Sequence, residues 1–256
     1  LFKARGREGR NKKASRTAWD GNGCQTRNII SAYRPEFTDR IIICTHWESR
    51  PWADADPDSS RHREPVMAAN DGASGVGVML EVARLLDQLN PSVGIDFICF
   101  DSEDYGAPYW EEGPDDGTDW CMGSRYWANH PHREGYAARY GILLDMVGGQ
   151  GSKFYQEGVS KQYASEIVNK VWRTAAQIGY GSFFPMKDGA MVTDDHVPVN
   201  EKAGIACIDI IPCFPDCPQS SFGPTWHTVN DTMDNIDPNV MKAVGQTLIQ
   251  VLYSEE

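Results

Sequence analysis

The sequence lacks several features that would place it in other classes of protein. No apolar stretch approaches the roughly 20 residues of a membrane-spanning helix, so we expect a chain that does not span a membrane. No internal repeat, low-complexity tract or linker follows residue 28. The chain starts at Leu1 and not at methionine, so we expect a processed or truncated product whose signal peptide, if it had one, is no longer visible.

Cysteine is scarce. Seven cysteines in 256 residues are too few for a disulfide scaffold, and they show no paired C-x-x-C spacing of a structural zinc site. Cys213 and Cys217 flank a Phe-Pro-Asp segment, and they either close a small loop disulfide or remain free thiols. Because the count is odd, at least one thiol is unpaired within a monomer. The cysteines therefore constrain the redox compartment only weakly.

Positive charge is also in deficit. The chain has 24 Lys and Arg residues against 36 Asp and Glu, a net charge of −12, which argues against nucleic acid as the main partner. Residues 1–17 nevertheless carry seven basic residues and the single acid Glu8. We therefore predict a basic, solvated N-terminal arm over residues 1–27. The remaining residues, 28–256, are sufficient for one domain with a substantial core.

Apolar segments alternate with amphipathic segments of helical period along this domain. Strands are predicted around 41–44, 95–100, 140–145 and 204–211, and helices around 70–89, 122–128, 161–179 and 237–255. Asn70, Asp71 and Ser74 are natural capping residues for the first of these helices. Alternation of this kind is typical of an α/β sandwich around a mainly parallel sheet.

Acidic residues follow the predicted strands. The segment GIDFICFDSEDYG places Asp101, Glu103 and Asp104 within four residues, directly after a buried strand. Such a cluster is costly unless the acids are solvated, paired, hydrogen-bonded or bound to a metal. Ligands of open α/β sheets bind beyond the carboxyl ends of the strands, where these acids are expected.

Two histidines and three acids together form a candidate metal site. These residues are His46, Asp71, Asp104, Asp145 and His227. Zinc is bound by histidine nitrogen and carboxylate oxygen, and a catalytic zinc keeps three protein ligands and one open position. Each residue alone has an ordinary alternative as a packing histidine or a helix cap. Their co-occurrence at strand ends favours the metal site.

Six motifs occur in a fixed order along the chain. They are HWES at 46–49, AANDGASGVGVMLEVARLL at 68–86, FDSEDYG at 100–106, LLDMVG at 143–148, TDDHVP at 193–198 and WHT at 226–228. Together they resemble the zinc-dependent aminopeptidase-like family and, within it, the glutaminyl cyclases of animal and bacterial type. The resemblance covers residues 28–256. It implies an open, twisted, mixed and mainly parallel central sheet with helices on both faces.

The resemblance also implies a ligand set. One zinc ion per chain would be held by Asp71, Asp104 and His227, and Glu103 would be the general acid/base. Position 48 has Glu where the family has Asp, and position 104 has Asp where most members have Glu. Both differences change the length of a side chain and keep its chemical type.

Further residues acquire roles by the same resemblance. Asp145 and Asp194 would be hydrogen-bonding carboxylates beside the general acid/base. Trp226 and Phe222 would form a wall of the substrate pocket, and Trp110 would cover its mouth. For Asp194, the ordinary alternative is a loop turn in which one acid pairs with the following histidine.

The implied reaction converts the N-terminal glutamine of peptides or proteins to pyroglutamate and releases ammonia, with N-terminal glutamate as a second candidate substrate. We expect a monomer that works in the periplasm or is secreted, because enzymes of this type act on exported peptides. One alternative is a dinuclear zinc aminopeptidase that adds His46 and Asp145 as ligands. The other is an inactive binding domain, although such proteins typically lose metal ligands and this chain retains all three.

Overall fold

A computed structural model describes residues 8–17, 23–111 and 117–255. Six strands in these ranges form one sheet with the order β1-β2-β4-β3-β5-β6. The strands are β1 (Glu8–Thr17), β2 (Gly23–Tyr33), β3 (Arg40–His46), β4 (Gly94–Phe100), β5 (Tyr140–Leu144) and β6 (Cys207–Ile210). Strands β3, β4, β5 and β6 run parallel, whereas β1 and β2 are antiparallel to their neighbours. The predicted mixed, mainly parallel sheet is confirmed.

The same ranges contain five α-helices. They are α1 (Ala73–Leu89), α2 (Met122–Asn129), α3 (Gly158–Gln177), α4 (His196–Glu201) and α5 (Pro238–Tyr253). Each of the four segments with a predicted helical period is helical, and α4 is an additional single short helix. None of these helices combines the length and the apolar character needed to cross a lipid bilayer.

The core lies on both faces of the sheet. Ile41 and Ile43 of β3 pack with residues of α1, α3 and α5, whereas Ile42 and Cys44 pack with residues of α2 and α4. This alternation follows from the period of two in a strand, which sends successive side chains to opposite faces. Because both faces are covered, β3 and β4 are buried along their whole length. Helices on both faces were predicted and are confirmed.

The predicted basic arm contributes to the sheet. Residues 8–17 form β1, which pairs with β2 from Glu8↔Ala32 to Thr17↔Gly23, and the predicted domain boundary at residue 28 falls inside β2. Polar side chains are tolerated there because an edge strand of an antiparallel pair faces water. Residues 1–7 and 18–22 of the predicted arm lie outside the described residues.

All seven cysteines, which lie in the described ranges, are free thiols. The sequence left a disulfide or two free thiols open for Cys213 and Cys217, and in the structure both are free thiols. Both are half-buried in the loop that follows β6.

Candidate active site

The acidic strand ends converge at one edge of the sheet. His46 is the last residue of β3, Glu103 and Asp104 follow β4, and Asp145 follows β5 directly. Residues 68–72, before α1, and the loop between β6 and α5 supply Asp71 and His227. These side chains are buried. The fold thus brings together the candidate residues that the sequence spreads over more than half of the chain.

Asp71 connects the two histidines. Its Oδ1 atom lies 3.0 Å from His46 Nε2, and its Oδ2 atom lies 3.6 Å from His227 Nε2. His46 Nε2 is also 3.0 Å from Asp145 Oδ1, and His227 Nε2 is 3.0 Å from Asp104 Oδ1. All five residues of the candidate metal site therefore form one contiguous cluster.

The donor set of this cluster suits a divalent cation. Asp104 Oδ2 and His46 Nδ1 are buried and have no hydrogen-bond partner among the described residues. His46, Asp71 and Asp104 present ligand atoms within 4.8 Å of one another. Burial, followed by the charges of Asp104 and Asp145, raises the pKa of Asp71. Buried carboxylates in contact with imidazoles are the arrangement that binds zinc, and a cation would offset the repulsion between the acids.

Backbone hydrogen bonds position Asp71. The Asp231 carboxylate accepts hydrogen bonds from the backbone N–H groups of Asn70 at 2.8 Å and of Asp71 at 3.0 Å. Helix α1 has Gly72 as its N-cap and no side-chain capping hydrogen bond, so the predicted capping by Asn70, Asp71 and Ser74 is wrong. The physical reason is competition, because the Asp71 carboxylate contacts the histidines and the Ser74 hydroxyl donates to the Asn70 carbonyl at 2.5 Å.

Glu48 positions the two acids that follow β4. Its Oε1 atom accepts hydrogen bonds from the backbone N–H groups of Glu103 at 2.6 Å and Asp104 at 3.0 Å. The same atom lies 3.7 Å from His46 Nδ1. No sequence signal points to the two backbone contacts of Glu48.

Arg50 and Asp54 form a second support that sequence reasoning missed. The Arg50 guanidinium donates to both carboxylate oxygens of Asp54, at 2.7 and 2.5 Å, and to the Asp104 carbonyl at 2.7 Å. Asp54 Oδ1 lies 3.7 Å from His227 Nδ1. A carboxylate facing the far nitrogen of a ligand histidine fixes the orientation of its ring and raises its basicity.

Glu103 is buried next to the cluster and shares a group with Asp194. The Cys121 thiol donates to Glu103 Oε1 at 3.3 Å, and Glu103, Cys121 and Asp194 present polar atoms within 4.8 Å of one another. Burial, followed by the charges of Asp104 and Asp194, raises the pKa of Glu103. A carboxyl group with a raised pKa can take up and release a proton near neutral pH.

Aromatic rings surround His227. The Trp226 ring stacks on the His227 ring with centroids 3.8 Å apart, and Phe222 lies 5.2 Å from Trp226. The Trp120 ring also stacks on the His227 ring, with the two centroids 6.3 Å apart and an angle of 4° between the ring planes. Trp226 thus lies beside His227 and Phe222 beside Trp226, and their role as a wall of the substrate pocket stays a prediction. Trp120 joins this aromatic group, and no sequence motif points to it.

Trp110 lies against the loop of residues 51–65. Its ring stacks on His62 with centroids 6.4 Å apart, meets Trp52 edge-on at 6.3 Å, and has the Arg63 guanidinium 4.9 Å from its centroid. The role of Trp110 as a cover of the pocket stays a prediction, and the neighbouring residues 112–116 lie outside the described ranges.

Known proteins share this fold and much of this sequence. A glutaminyl cyclase of Bacteroides thetaiotaomicron, solved with N-acetylhistamine, is 49% identical in sequence and aligns with a TM-score of 0.96. The alignment covers 100% of this chain and 86% of the cyclase chain. Aminopeptidase YwaD of Bacillus subtilis (strain 168) is 28% identical over 239 residues, which are 89% of this chain and 44% of the relative. Glutaminyl-peptide cyclotransferase of Bos taurus is 23% identical over 257 residues, covering 89% and 65%.

The chain spans less than two thirds of the length of these two curated relatives. The match to a family is nevertheless extensive. Residues 28–252 match the sequence model of peptidase family M28, and this range contains every residue of the candidate site. The chain therefore belongs to peptidase family M28.

Proposed function

We propose that this protein is a zinc-dependent glutaminyl-peptide cyclotransferase, which converts N-terminal glutamine to pyroglutamate and releases ammonia. The observation that carries the proposal is the placement of Glu103 and Asp194 in one buried group beside the cluster of Asp71, Asp104 and His227. Cyclisation needs a proton carrier next to a charge-stabilising centre, and this arrangement supplies both. The similarity to a glutaminyl cyclase at 49% identity supports the same reaction.

We assign one zinc ion per chain to Asp71, Asp104 and His227. A zinc ion held by these residues would supply Lewis-acid polarisation of the carbonyl of the substrate's side-chain amide. The supporting contacts of these ligands come from the chain itself. Asp231 holds the backbone at Asp71, and the carboxylate of Asp54 faces the far nitrogen of His227.

Glu103 moves the proton. Its carboxylate accepts a proton from the substrate's α-ammonium group, and the freed amine forms a bond to Cδ, the carbonyl carbon of the side-chain amide. The bond between Cδ and the amide nitrogen breaks as Glu103 gives its proton to the departing NH2 group, which leaves as ammonia. The carboxylate then accepts the second proton, which the attacking nitrogen loses as the lactam forms, and releases it to solvent. The burial that raises the pKa of Glu103 suits a group that must both accept and release this proton. Asp145 and Asp194 orient the reacting amide by accepting its hydrogen bonds.

The aromatic residues form the substrate pocket in this proposal. Phe222 and Trp226 form an apolar wall beside His227, and Trp110 covers the mouth. An apolar wall excludes water from the reacting carbonyl, which favours attack by the substrate's own amine over hydrolysis. The substrates are peptides and proteins that begin with glutamine, and those that begin with glutamate are the second class to test.

The test is mass spectrometry of two short peptides after incubation with the purified protein, one beginning with glutamine and one with leucine. We expect the glutamine peptide to lose ammonia and the leucine peptide to stay intact. Release of a free amino acid from either peptide would contradict the proposal.

The second candidate function is that of a dinuclear zinc aminopeptidase. The observation that favours it is the contact between His46 Nε2 and Asp145 Oδ1 at 3.0 Å, within the same cluster as the three proposed ligands. Two metal ions would activate a hydroxide for attack on a peptide carbonyl. Elemental analysis separates the two functions, since the cyclase requires one zinc ion per chain and the aminopeptidase two.

We also propose that the enzyme is a monomer and works in the periplasm or as a secreted protein. The family resemblance supports this location, because such enzymes act on exported peptides. Analytical ultracentrifugation tests the oligomeric state, and fractionation of the native cells tests the location.

A further inference from the structure

A row of buried polar side chains leads from the candidate active site to the start of α3. It consists of Asp194, Asp209, His196 and Glu157, which we call the inner row. Their exposed fractions are 3%, 0%, 0% and 2%, so water does not stabilise a charge on any of these side chains. Buried ionisable groups are costly unless each is paired or neutral, and the inner row therefore needs an account of its protons.

The Glu157 end of the inner row is saturated with donors. The carboxylate accepts hydrogen bonds from the N–H groups of Val159 at 2.7 Å, Ser160 at 2.6 Å and Val192 at 2.9 Å, and from the Ser160 hydroxyl at 2.7 Å. Its remaining contact is His196 Nε2 at 3.1 Å. Although burial opposes ionisation, these bonds and the histidine lower the pKa of Glu157 to about 2. Glu157 is thus an ionised acceptor, and His196 Nε2 donates to it.

Asp209 has the opposite environment. Both of its carboxyl oxygens are buried without a hydrogen-bond partner among the described residues, and the same holds for Asp194 Oδ2. Asp194, His196 and Asp209 present polar atoms within 4.8 Å of one another, and Asp209 Oδ2 is 3.9 Å from His196 Nδ1. Two ionised carboxylates facing each other would repel, and neither could donate. A single proton between them removes both problems.

The surrounding charges favour a proton on Asp209. The ionisable groups around it are Asp194 from the loop before α4, His196 of α4, Glu157 at the start of α3, and Asp145 beyond β5. Burial, followed by the charges of Asp194, Asp145 and Glu157, raises the pKa of Asp209. Burial, followed by the charges of Asp145 and Asp195, raises the pKa of Asp194 as well. The two acids differ in their donors: the backbone N–H of Asp195 donates to Asp194 Oδ1 and stabilises its ionised form, whereas neither oxygen of Asp209 has a donor among the described residues.

We propose that Asp209 is a protonated carboxylic acid in the resting enzyme and donates a hydrogen bond to Asp194, which makes Asp209 a positioning residue for the reaction. This inference rests on the proposed cyclisation only for its effect on rate. The donated hydrogen bond holds Asp194 ionised and turned toward Glu103. The Glu157–His196 pair in turn fixes the side of Asp209 that faces away from the active site.

The activity test uses two substitutions of Asp209 in the zinc-loaded enzyme. Asp209→Asn keeps a planar side chain whose N–H group can donate to Asp194, so we expect it to retain most of the kcat for a glutamine peptide. Asp209→Leu keeps the branched shape of the side chain, is larger, and has no donor. We expect it to lower kcat by about tenfold to a hundredfold, the loss expected when an ionised acceptor loses one hydrogen bond, with little change in KM.

The control is Ile208→Val, which alters the neighbouring residue of β6 on the opposite face of the sheet. We expect it to keep wild-type kinetics. Equal kcat values for Asp209→Asn and Asp209→Leu, with both variants folded, would overturn the positioning role.

Infrared spectroscopy tests the proton without reference to activity. At neutral pH the wild-type protein should show a carbonyl-stretching band of a protonated carboxylic acid that disappears in Asp209→Asn. An identical band in both proteins would overturn the proposal, even if Asp209→Leu fails to fold. So would the loss of a bound metal ion in Asp209→Asn, since a cation would then neutralise the pair.

These results separate the two proposals. A wild-type protein that leaves glutamine peptides unchanged contradicts the proposed function, whereas the infrared band still decides whether Asp209 carries a proton. A wild-type protein that cyclises the peptide while the band is absent contradicts the assignment of Asp209 alone.

Discussion

The Glu48 carboxylate accepts a hydrogen bond from the backbone N–H of Glu103, with 2.6 Å between the two atoms. A second N–H, that of Asp104, donates to the same oxygen at 3.0 Å. Ser102, just before them, adopts a left-handed backbone with φ of 57°, which is uncommon for a residue with a side chain. One acid therefore fixes the backbone from which a proposed proton carrier and a proposed metal ligand both extend.

This contact predicts different effects for two substitutions of Glu48. Glu48→Gln keeps a side-chain oxygen that can accept both N–H groups, so we expect it to retain most of the activity. Glu48→Ala removes the acceptor, and we expect kcat/KM to fall by about tenfold to a hundredfold because the two acids lose their alignment. Steady-state kinetics with a glutamine peptide measures this. Wild-type kinetics in Glu48→Ala would show that the contact is dispensable.

The assignment of Glu103 as the general acid/base predicts that Glu103→Gln lowers kcat by about 10²–10⁴-fold. The neutral amide is nearly the same size, so zinc content and thermal stability should stay unchanged. Metal analysis and thermal unfolding of the same preparation provide this control. A zinc-loaded Glu103→Gln enzyme with wild-type turnover would refute the role.

Removal of the metal should abolish activity reversibly. We expect one zinc ion per chain in the purified enzyme, loss of turnover on dialysis against a chelator, and recovery when zinc is added. His227→Ala should bind zinc weakly, because it removes one of three proposed ligands. The matched control is His130→Ala, which removes an exposed histidine at the end of α2. Two zinc ions in the wild-type protein would favour the aminopeptidase.

A buried ion pair lies at the end of the sheet opposite the candidate active site. We expect its loss to lower the stability of the protein more than the loss of an exposed pair. The Arg40 guanidinium donates to both oxygens of Asp96, at 2.6 and 2.8 Å, and the Tyr136 hydroxyl donates to Asp96 at 2.7 Å. Asp96→Ala leaves the Arg40 charge buried and unpaired, so we expect a loss of roughly 3–5 kcal/mol in the free energy of unfolding.

The matched control for this pair is Glu81→Ala on the surface of α1. Glu81 accepts two hydrogen bonds from Arg84, both at 2.7 Å, and both side chains are 55% exposed. An exposed pair of this kind is worth about 1 kcal/mol or less. Urea unfolding measures both variants, and equal losses in the two would contradict the argument from burial.

His132 should make the protein less stable in mild acid. Burial lowers the pKa of His132 from its ordinary value of 6.5 to about 4, partly offset by the charge of Asp96. Its Nδ1 atom accepts a hydrogen bond from Trp127 Nε1 at 3.2 Å, which requires the neutral ring. Between the two pKa values the unfolded chain binds more protons than the folded one. The stabilisation is therefore complete above pH 6.5 and decreases as the pH falls toward 4.

Urea unfolding at a series of pH values tests this dependence. The contribution of one such group changes by up to about 1.4 kcal/mol per pH unit in that window. We expect His132→Gln to be less stable at neutral pH and to lose less of its stability on acidification, whereas His130→Gln should follow the wild type. Parallel curves for all three proteins would contradict the prediction.

The sequence predicts correctly those parts of the fold for which a residue pattern is typical of a single kind of structure. Continuous apolar runs such as Ile41 to Ile43 predicted buried strands, and the acids beyond them predicted a site at the carboxyl ends. Period alone could not reveal β1, because a polar edge strand is stabilised by backbone pairing with β2 and not by its side chains. The capping prediction failed for a similar reason, since tertiary contacts outcompeted the local preference of Asp71.

The supporting residues were beyond sequence reasoning because their partners are distant in the chain. Asp231 meets the backbone of Asp71 across 160 positions, and Arg50 meets Asp104 across 54. An arginine or aspartate in a loop carries no local signal of such a contact. The proposed ligands are visible as a motif, whereas the groups that hold them become visible only when the chain is folded.

Strand β1 forms one of the two borders of the sheet. An unpaired strand edge is a template on which another chain can add a strand and begin to aggregate. At one border of this sheet the outermost strand, β6, has only four residues. At the other border, β1 carries Arg10, Lys12 and Lys13. A second copy approaching edge to edge would bring like charges together, so the basic residues protect the border against fibrous growth.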